Sequence, residues 1–315
     1  MSAPGAPSLV IGDVARRLKI AGIEGATLEA RLLVAEALSV APGTLHGVAT
    51  VPATAGERQF LDDLVARRIN REPIAYITGT REFWSLPFKV RPGVLIPRPD
   101  SETVIETVRK AFPDASAPLR ILDLGTGSGC LLLALLSEYR NAAGIGIDAS
   151  NVAVETAQDN ADALHLGARA KILKLDWRDR DNDLYADILR ARFDVIVANP
   201  PYICDDEMAG LMRDVAEYEP RQALSGGADG LDSYREILPL IRNCLDEAGV
   251  AVLECGHSQA GVVLNLARDQ GFVEGMCAID LAGVERCVIL RFRGEKNLLE
   301  RRGQGASLAP EGPTK

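Results

Sequence analysis

From Leu119 onward, short apolar runs alternate with stretches whose apolar residues recur at helical spacing. That alternation constrains the chain more than any other feature. It dictates a mostly parallel sheet wrapped by helices on both faces. The runs are Arg120–Leu124, Ala143–Ile147, Ala170–Leu175, Phe193–Ala198 and Val250–Glu254. A last pair, Phe272–Asp280 and Arg286–Phe292, is joined by Leu281-Ala282-Gly283-Val284-Glu285, which is too short for a crossover, so it is expected to be antiparallel. The expected fold class is α/β, a doubly wound, mostly parallel, seven-stranded Rossmann-like sheet. In such an open sheet ligands bind outside the carboxyl ends of the strands. The residues that end each strand are therefore the ones to read for chemistry.

Before Leu119 the pattern is different. Residues 8–72 read as a small helical bundle. Leu9, Val14 and Leu18 share a face of a first helix, and Leu28, Leu32, Val34, Ala35 and Leu38 mark a second. Thr54 with Glu57 three positions on matches a capping box. Phe60, Leu61, Leu64, Val65 and Ile69 then continue at helical spacing, with Arg67, Arg68 and Arg71 expected on solvated faces. A bundle of this size suits partner docking better than catalysis. Phe83, Trp84, Leu86, Phe88 and Val90, punctuated by Pro87 and Pro92, read as a β-hairpin. Ile96-Pro97-Arg98-Pro99-Asp100 forms a stiff corner before a helix from Ser101 to Ala111 with Glu102 in its first turn. The expected organisation is a helical domain over 1–79, a hairpin linker over 80–98, a catalytic domain over 99–293 and a disordered polar tail over 294–315.

Four strand ends carry chemistry. The first runs into Gly125-Thr126-Gly127-Ser128-Gly129, a turn in which glycines let the backbone approach a ligand closely. Cys130 stands where a dinucleotide fingerprint wants Gly or Ala, which counts against NAD. Asp123 has two readings here, as a partner for a ligand's amino group or as a brace for the turn. Asp148 ends the second strand and can accept both hydroxyls of a ribose, with Ser150 as the following helix N-cap. Asp176 and Trp177 follow the third, the acid able to bond an adenine amine and the indole to stack on the ring. Trp177 reads equally well as a half-buried core aromatic.

The fourth strand ends in Asn199-Pro200-Pro201-Tyr202. The Asn199 side-chain oxygen and a proline carbonyl can accept the two N–H bonds of a flat sp² nitrogen, and the Tyr202 ring can cover its face. Such a nitrogen is a weak nucleophile because its lone pair is delocalised. Two acceptors on its hydrogens push electron density back and aim the lone pair. This suits methyl transfer from a sulfonium donor, with catalysis by positioning and matched hydrogen bonding. A sulfonium cofactor has no pyrophosphate to seat, so the altered glycine spacing is compatible with it.

Composition excludes several classes. The chain is 47% apolar and 25% charged, so it can bury a sizeable core. Its formal charge of −9 argues against a wide grip on nucleic acid backbone. No apolar stretch is long enough to span a bilayer, and Met1–Pro7 shows no secretory signal, so a cytoplasmic location is expected. Cys130, Cys204, Cys244, Cys255, Cys277 and Cys287 form no Cys-x-x-Cys pair and read as reduced thiols. Three histidines without ligand-like spacing make a metal site unexpected.

The order of these features, glycine turn first and Asn-Pro-Pro-Tyr after the fourth strand, resembles class I S-adenosylmethionine methyltransferases of the amino-group type. Arg71-Glu72-Pro73-Ile74-Ala75-Tyr76-Ile77-Thr78-Gly79, Glu82-Phe83-Trp84 and Leu95-Ile96-Pro97-Arg98-Pro99-Asp100-Ser101-Glu102 narrow it. They resemble the HemK family, the peptide chain release factor glutamine methyltransferases, over roughly residues 8–293. The resemblance implies N5-methylation of the glutamine in the Gly-Gly-Gln motif of class 1 release factors. It implies that Asp123, Gly125, Thr126, Gly127, Ser128, Gly129, Asp148, Asp176, Trp177 and Asn199 hold S-adenosylmethionine. It places Asn199, Pro200, Pro201 and Tyr202 at the target amide, with Arg98 and Glu102 on the substrate side. Pro99-Asp100-Ser101-Glu102 favours release factor over the ribosomal protein glutamine taken by a close relative, and a DNA adenine methyltransferase is the remoter alternative. Cys255 and His257 receive no role.

Overall fold

The computed structural model describes residues 8–292. The expectations for Met1–Pro7 and for the tail from 294 lie outside the described residues. The chain forms two compact units, one of residues up to Pro97 with Asp206–Leu224, the other of Arg98–Asp205 with residues from Ser225 on.

In the first unit β1 (Ser8–Val10) leads into α1 (Ile11–Ile20) and α2 (Ala26–Ala37). Next come β2 (Thr50–Pro52), α3 (Ala55–Ile69) and α4 (Ile74–Thr78), and then the hairpin of β3 (Thr80–Phe83) and β4 (Leu86–Lys89). Leu9 is not helical. It pairs with Val51 in a short antiparallel ribbon of β1 and β2 that satisfies its backbone groups. The α3 capping box is present: Thr54 N donates to Glu57 Oε2 at 2.6 Å and Glu57 N donates to Thr54 Oγ1 at 3.2 Å. The buried stripe of α3 is Leu61, Leu64, Val65 and Arg68, which leaves Phe60 46% exposed. The α2 stripe is Ala30, Leu33, Val34, Ala35 and Ala37, so Leu28 points outward at 63%.

The three arginines expected in solvent differ. Arg67 pairs with Glu72 at 2.6 Å near the surface. Arg71 donates to the carbonyls of Ala21 and Gly22. Arg68 is only 6% exposed. Its guanidinium meets Glu29 of α2 at 2.6 Å and Asp214 at 2.8 Å, in the short helix α9 (Arg213–Tyr218). The same segment is tied to the unit twice more. Tyr218 donates its hydroxyl to the Asn70 carbonyl at 2.8 Å, and Ile96 N donates to the Glu219 carboxylate at 3.2 Å.

The second unit begins with α5 (Glu102–Ala111), β5 (Arg120–Leu124), α6 (Cys130–Glu138), β6 (Ala143–Asp148), α7 (Asn151–Ala163) and β7 (Ala170–Lys174). It continues with α8 (Asp183–Arg190), β8 (Phe193–Ala198), α10 (Asp232–Cys244), β9 (Leu245–Glu254), α11 (Ala260–Asp269), β10 (Glu274–Ile279) and β11 (Glu285–Arg291). The seven strands stand in the order β10-β11-β9-β8-β5-β6-β7. Strands β5 to β9 are parallel to one another, while β11 runs antiparallel to both β9 and β10. Every residue of β8 is buried, as a strand covered by helices on both faces requires. After β5 the chain winds outward through β6 and β7, and after β8 it winds the other way through β9. The gap between β5 and β8 is therefore the topological switch point, where doubly wound sheets bind ligands.

Candidate active site

Strand register brings the sequence motifs to one level. Leu124 is partnered by Ala198 on β8 and Ile147 on β6, and Ala198 by Leu253 on β9. The next residue on each strand is therefore Gly125, Asn199, Asp148 and Glu254, a single row at the carboxyl edge. Asp176 and Trp177 follow one strand further out, just beyond β7.

The glycine turn is rigidly braced. Gly125, Gly127 and Gly129 all have positive φ. At Gly125 (φ 73°) a Cβ would also lie 3.3 Å from the Trp177 ring, so the indole packs directly on the turn. The amides of Gly125 and Thr126 both donate to the Ile147 carbonyl at 2.9 Å. Asn160 Nδ2 donates to the Ser128 carbonyl at 2.8 Å, and Gly127 N donates to Asp148 Oδ2 at 2.9 Å. The other Asp148 oxygen accepts from Ser150 N at 2.8 Å, and Ser150 caps α7 as expected. Each carboxylate oxygen of Asp148 thus keeps a lone pair for a ligand hydroxyl. Burial pushes the Asp148 carboxyl up, against these two amides. Asp176 accepts from Arg178 N at 2.9 Å, which fixes the turn carrying Trp177.

Asp123 braces the turn. Its Oδ2 accepts from the Thr126 hydroxyl at 2.7 Å, while its Oδ1 is buried without a hydrogen-bond partner. Burial drives its carboxyl up to about 7. A carboxyl whose pKa is raised by folding contributes stability below its unfolded value, near 3.8, and loses it as pH rises through 7. Asp123→Asn, which keeps the acceptor for Thr126, should therefore melt higher than the parent, with a gap that widens from pH 5 to pH 8. Thermal melts of the two proteins without added ligands check this, and a constant gap would refute the assignment.

The acceptor loop is held at both ends. Asn199 Nδ2 donates to Ser101 Oγ at 3.2 Å, and the Tyr202 hydroxyl donates to Glu254 Oε1 at 3.3 Å. Burial, with Glu254 beside it, pushes the Tyr202 phenol up. The Tyr202 carbonyl accepts from Gln259 Nε2 at 2.9 Å, and the Ile203 carbonyl accepts from Gly226 N at 2.9 Å. A Cβ at Gly226 would stand 2.8 Å from the Pro201 carbonyl oxygen, so the loop needs a glycine beneath it. Asp205 closes the loop through Ser225 Oγ at 2.7 Å and the Gly227 carbonyl at 3.0 Å.

Sequence reasoning missed four of these supports: Ser101, Glu254, Gln259 and the Ser225–Gly227 turn. Glu254 is visible in the sequence as a strand end, but its place beside the acceptor loop follows only from β9 lying next to β8 in the fold. Arg98 stands half-buried before α5 and Glu102 is the first residue of that helix. Cys255 is buried and His257 exposed. Among the described residues no group of His, Cys, Asp and Glu is arranged to hold a metal ion. No helix among them is long and apolar enough to cross a membrane.

Known proteins share both parts of this architecture. Residues 10–79 match the PrmC N-terminal domain family, and residues 115–268 match a methyltransferase domain family. A release factor glutamine methyltransferase of Rhodospirillum rubrum is 40% identical, over 98% of this chain and 93% of its own length. One from Caulobacter vibrioides is 41% identical over 90% of this chain and 94% of its own length. Among solved structures, the hMettl16 catalytic domain in complex with MAT2A 3'UTR hairpin 6 superposes with a TM-score of 0.54. Its 15% identity, over 75% of this chain and 84% of that one, speaks for the fold alone.

Proposed function

The chain belongs to the release factor glutamine methyltransferase family, and from that premise we propose its reaction. It transfers a methyl group from S-adenosylmethionine to the side-chain nitrogen of the glutamine in the Gly-Gly-Gln motif of class 1 peptide chain release factors. The observation that carries this reading is the shared row of Gly125, Asp148 and Asn199 at the switch point, which sets a ligand-cradling turn beside an amide-binding loop.

The residues present fit that cofactor. Asp148 has lone pairs for two ribose hydroxyls, the Trp177 ring packs against the glycine turn at Gly125, and the buried Asp123 Oδ1 and Trp177 Nε1 both lack a partner. Together with Thr126, Ser128 and Asp176 they form the cofactor side of the site. When bound, S-adenosylmethionine supplies a methyl group made electrophilic by its sulfonium.

The chain's own part is positional. Asn199 turns its Nδ2 to Ser101, which leaves Oδ1 to accept one N–H of the target amide. The Pro200 carbonyl accepts the other. Pro201 and Tyr202 wall the pocket, with Tyr202 fixed by its hydroxyl and its carbonyl. Accepting both hydrogens localises the amide lone pair and aims it, and the same acceptors disperse the positive charge as the new bond forms. The proton is lost after attack, so no strong base is required. We assign substrate contacts outside this loop to Arg98 and Glu102, and docking of the release factor to the helical domain over 1–79, with 80–98 as linker and 99–293 as catalytic domain.

Protein, rather than nucleic acid, is the acceptor on this reading, because a net charge of −9 opposes a wide phosphate grip. The deciding assay is mass spectrometry of a class 1 release factor incubated with the protein and S-adenosylmethionine. The expected result is one added methyl on the Gly-Gly-Gln glutamine. Methyl incorporation into a ribosomal protein or duplex DNA instead, at matched amounts, would overturn the choice of substrate.

A further inference from the structure

A buried carboxyl stands behind the acceptor loop. Ala198 and Leu253 are register partners, so Glu254 is the strand-end neighbour of Asn199. Glu254 is 1% exposed. Its Oε1 accepts from the Tyr202 hydroxyl, and its Oε2 is buried with no hydrogen-bond partner. The Ser101 hydroxyl lies against the same carboxyl and favours its ionised form. Ser101 Oγ is also the acceptor for Asn199 Nδ2 at 3.2 Å. The backbone of Glu254 is pinned as well, since Tyr234 of α10 donates its hydroxyl to the Glu254 carbonyl at 2.8 Å.

A side-chain amide has two chemically different ends, and Asn199 serves its substrate only with Oδ1 turned toward it. A serine hydroxyl both donates and accepts, so Ser101 alone cannot choose which end of Asn199 it faces. A carboxylate beside Ser101 accepts the hydrogen bond of its hydroxyl. Ser101 then offers Asn199 only lone pairs, Nδ2 is held there, and Oδ1 is left for the target amide. We propose that Glu254 is a positioning residue for methyl transfer, orienting Asn199 through Ser101 and holding Tyr202 by its hydroxyl. The proposal rests on the glutamine methyltransferase reading of Asn199 given above.

The same geometry makes the site sensitive to pH. Burial pushes Glu254 up to about 7, opposed by Ser101, Arg286 and Tyr202 and assisted by Asp100. The charged and titratable groups around it are Asp100 before α5, Arg286 and Cys287 on β11, Tyr202, Tyr234, Cys130 at the start of α6, and the adjoining Cys255. Arg286 is shared, with Asp100 and Asp280 each 3.1 Å away, so it does not hold Glu254 ionised by itself. Below pH 7 Glu254 gains a proton and becomes a donor. Ser101 is then free to donate to Asn199, and the amide loses its fixed orientation. Turnover should therefore be full above pH 7 and fall below it.

The experiment measures kcat and KM for a class 1 release factor from about pH 5.5 to 8.5, with cofactor affinity by calorimetry, for the full chain and two variants. Glu254→Gln keeps the size of the side chain and removes a buried charge, so it should fold. Its kcat should drop about tenfold or more at pH 8, its acidic limb should vanish, and its cofactor affinity should stay within about threefold of the parent. Ser101→Ala, which cuts the link and leaves Glu254 in place, should lose kcat to a similar degree with KM little changed. Two variants that both keep the parent's acidic limb and a kcat within about twofold would overturn the proposal, as would a parent profile flat across pH 7. No methyl transfer by the parent to the release factor would overturn the underlying reading itself and the proposal with it.

Discussion

Asn199→Ala should lower kcat on a release factor by about 10²- to 10⁴-fold, roughly 3–5 kcal/mol of transition-state stabilisation. The affinity for S-adenosylmethionine should change by no more than about threefold. The size of the effect follows from what the side chain does at both ends. Alanine removes one of the two acceptors that localise the target lone pair, and it leaves the buried Ser101 hydroxyl without its 3.2 Å partner. Cofactor binding is spared because the turn at Gly125–Gly129 is braced by Asp148, Asn160 and the Ile147 carbonyl, none of which needs Asn199. Asn199→Asp is the sharper control. It keeps an acceptor oxygen but has no N–H for Ser101, and it brings a second carboxylate close to Glu254. It should be nearly as inactive as alanine. Single-turnover methylation with saturating cofactor, alongside calorimetry, separates the chemical step from binding. A folded Asn199→Ala protein with near-parental turnover would leave no role for the amide clamp.

The parts of the molecule that sequence made legible are those where one residue answers to one local cause. Strands β5 and β8 announce themselves because a strand buried on both faces must be apolar along nearly its whole length, β6 and β7 do so by shorter apolar stretches, and the chemistry at each strand's end is what breaks the run. Gly125, Asp148, Trp177 and Asn199 were visible for that reason. Ser101 and Glu254 were not, although they lie as close to the loop. Ser101 reads as an ordinary helix start, and Glu254 reads as the polar end of a fifth strand. Their meaning depends on β9 lying next to β8 and on α5 beginning beside Asn199, which is tertiary information. The same limit explains the errors in the helical unit. Leu28 and Phe60 fit an apolar spacing, but the faces actually buried are set by Ala30 and Leu33 and by Leu61 and Leu64. Leu9 was assigned to a helix because its strand partner, Val51, lies beyond two helices.

Arg68 is the clearest case, and it carries the largest expected effect on stability. It occupies the position seven residues after Leu61, where the buried stripe of α3 calls for an apolar side chain. A reader of the sequence places it in solvent between Arg67 and Arg71. In the fold its guanidinium is 6% exposed and satisfied by Glu29, Asp214 and the Glu72 carbonyl. Removing one partner from such a group strands the others, which costs about 3–5 kcal/mol for a fully buried pair. Glu29 and Asp214 keep some access to water, so Arg68→Ala should fall at the lower end, near 3 kcal/mol. The two tryptophans allow the loss to be located, since Trp84 lies in the first unit and Trp177 in the second. Urea titrations of Trp177→Phe and Trp84→Phe backgrounds would follow each unit through its own fluorophore. Arg68→Ala should move the Trp84 transition to markedly lower urea and the Trp177 transition less. Adding Glu29→Gln should recover part of the loss, because it neutralises one stranded carboxylate. If Arg68→Ala instead costs under about 1 kcal/mol, the pair behaves like an exposed one. The hold of α3 on Asp214, and through it on the segment that begins just after the acceptor loop closes at Asp205, would then be of little energetic account.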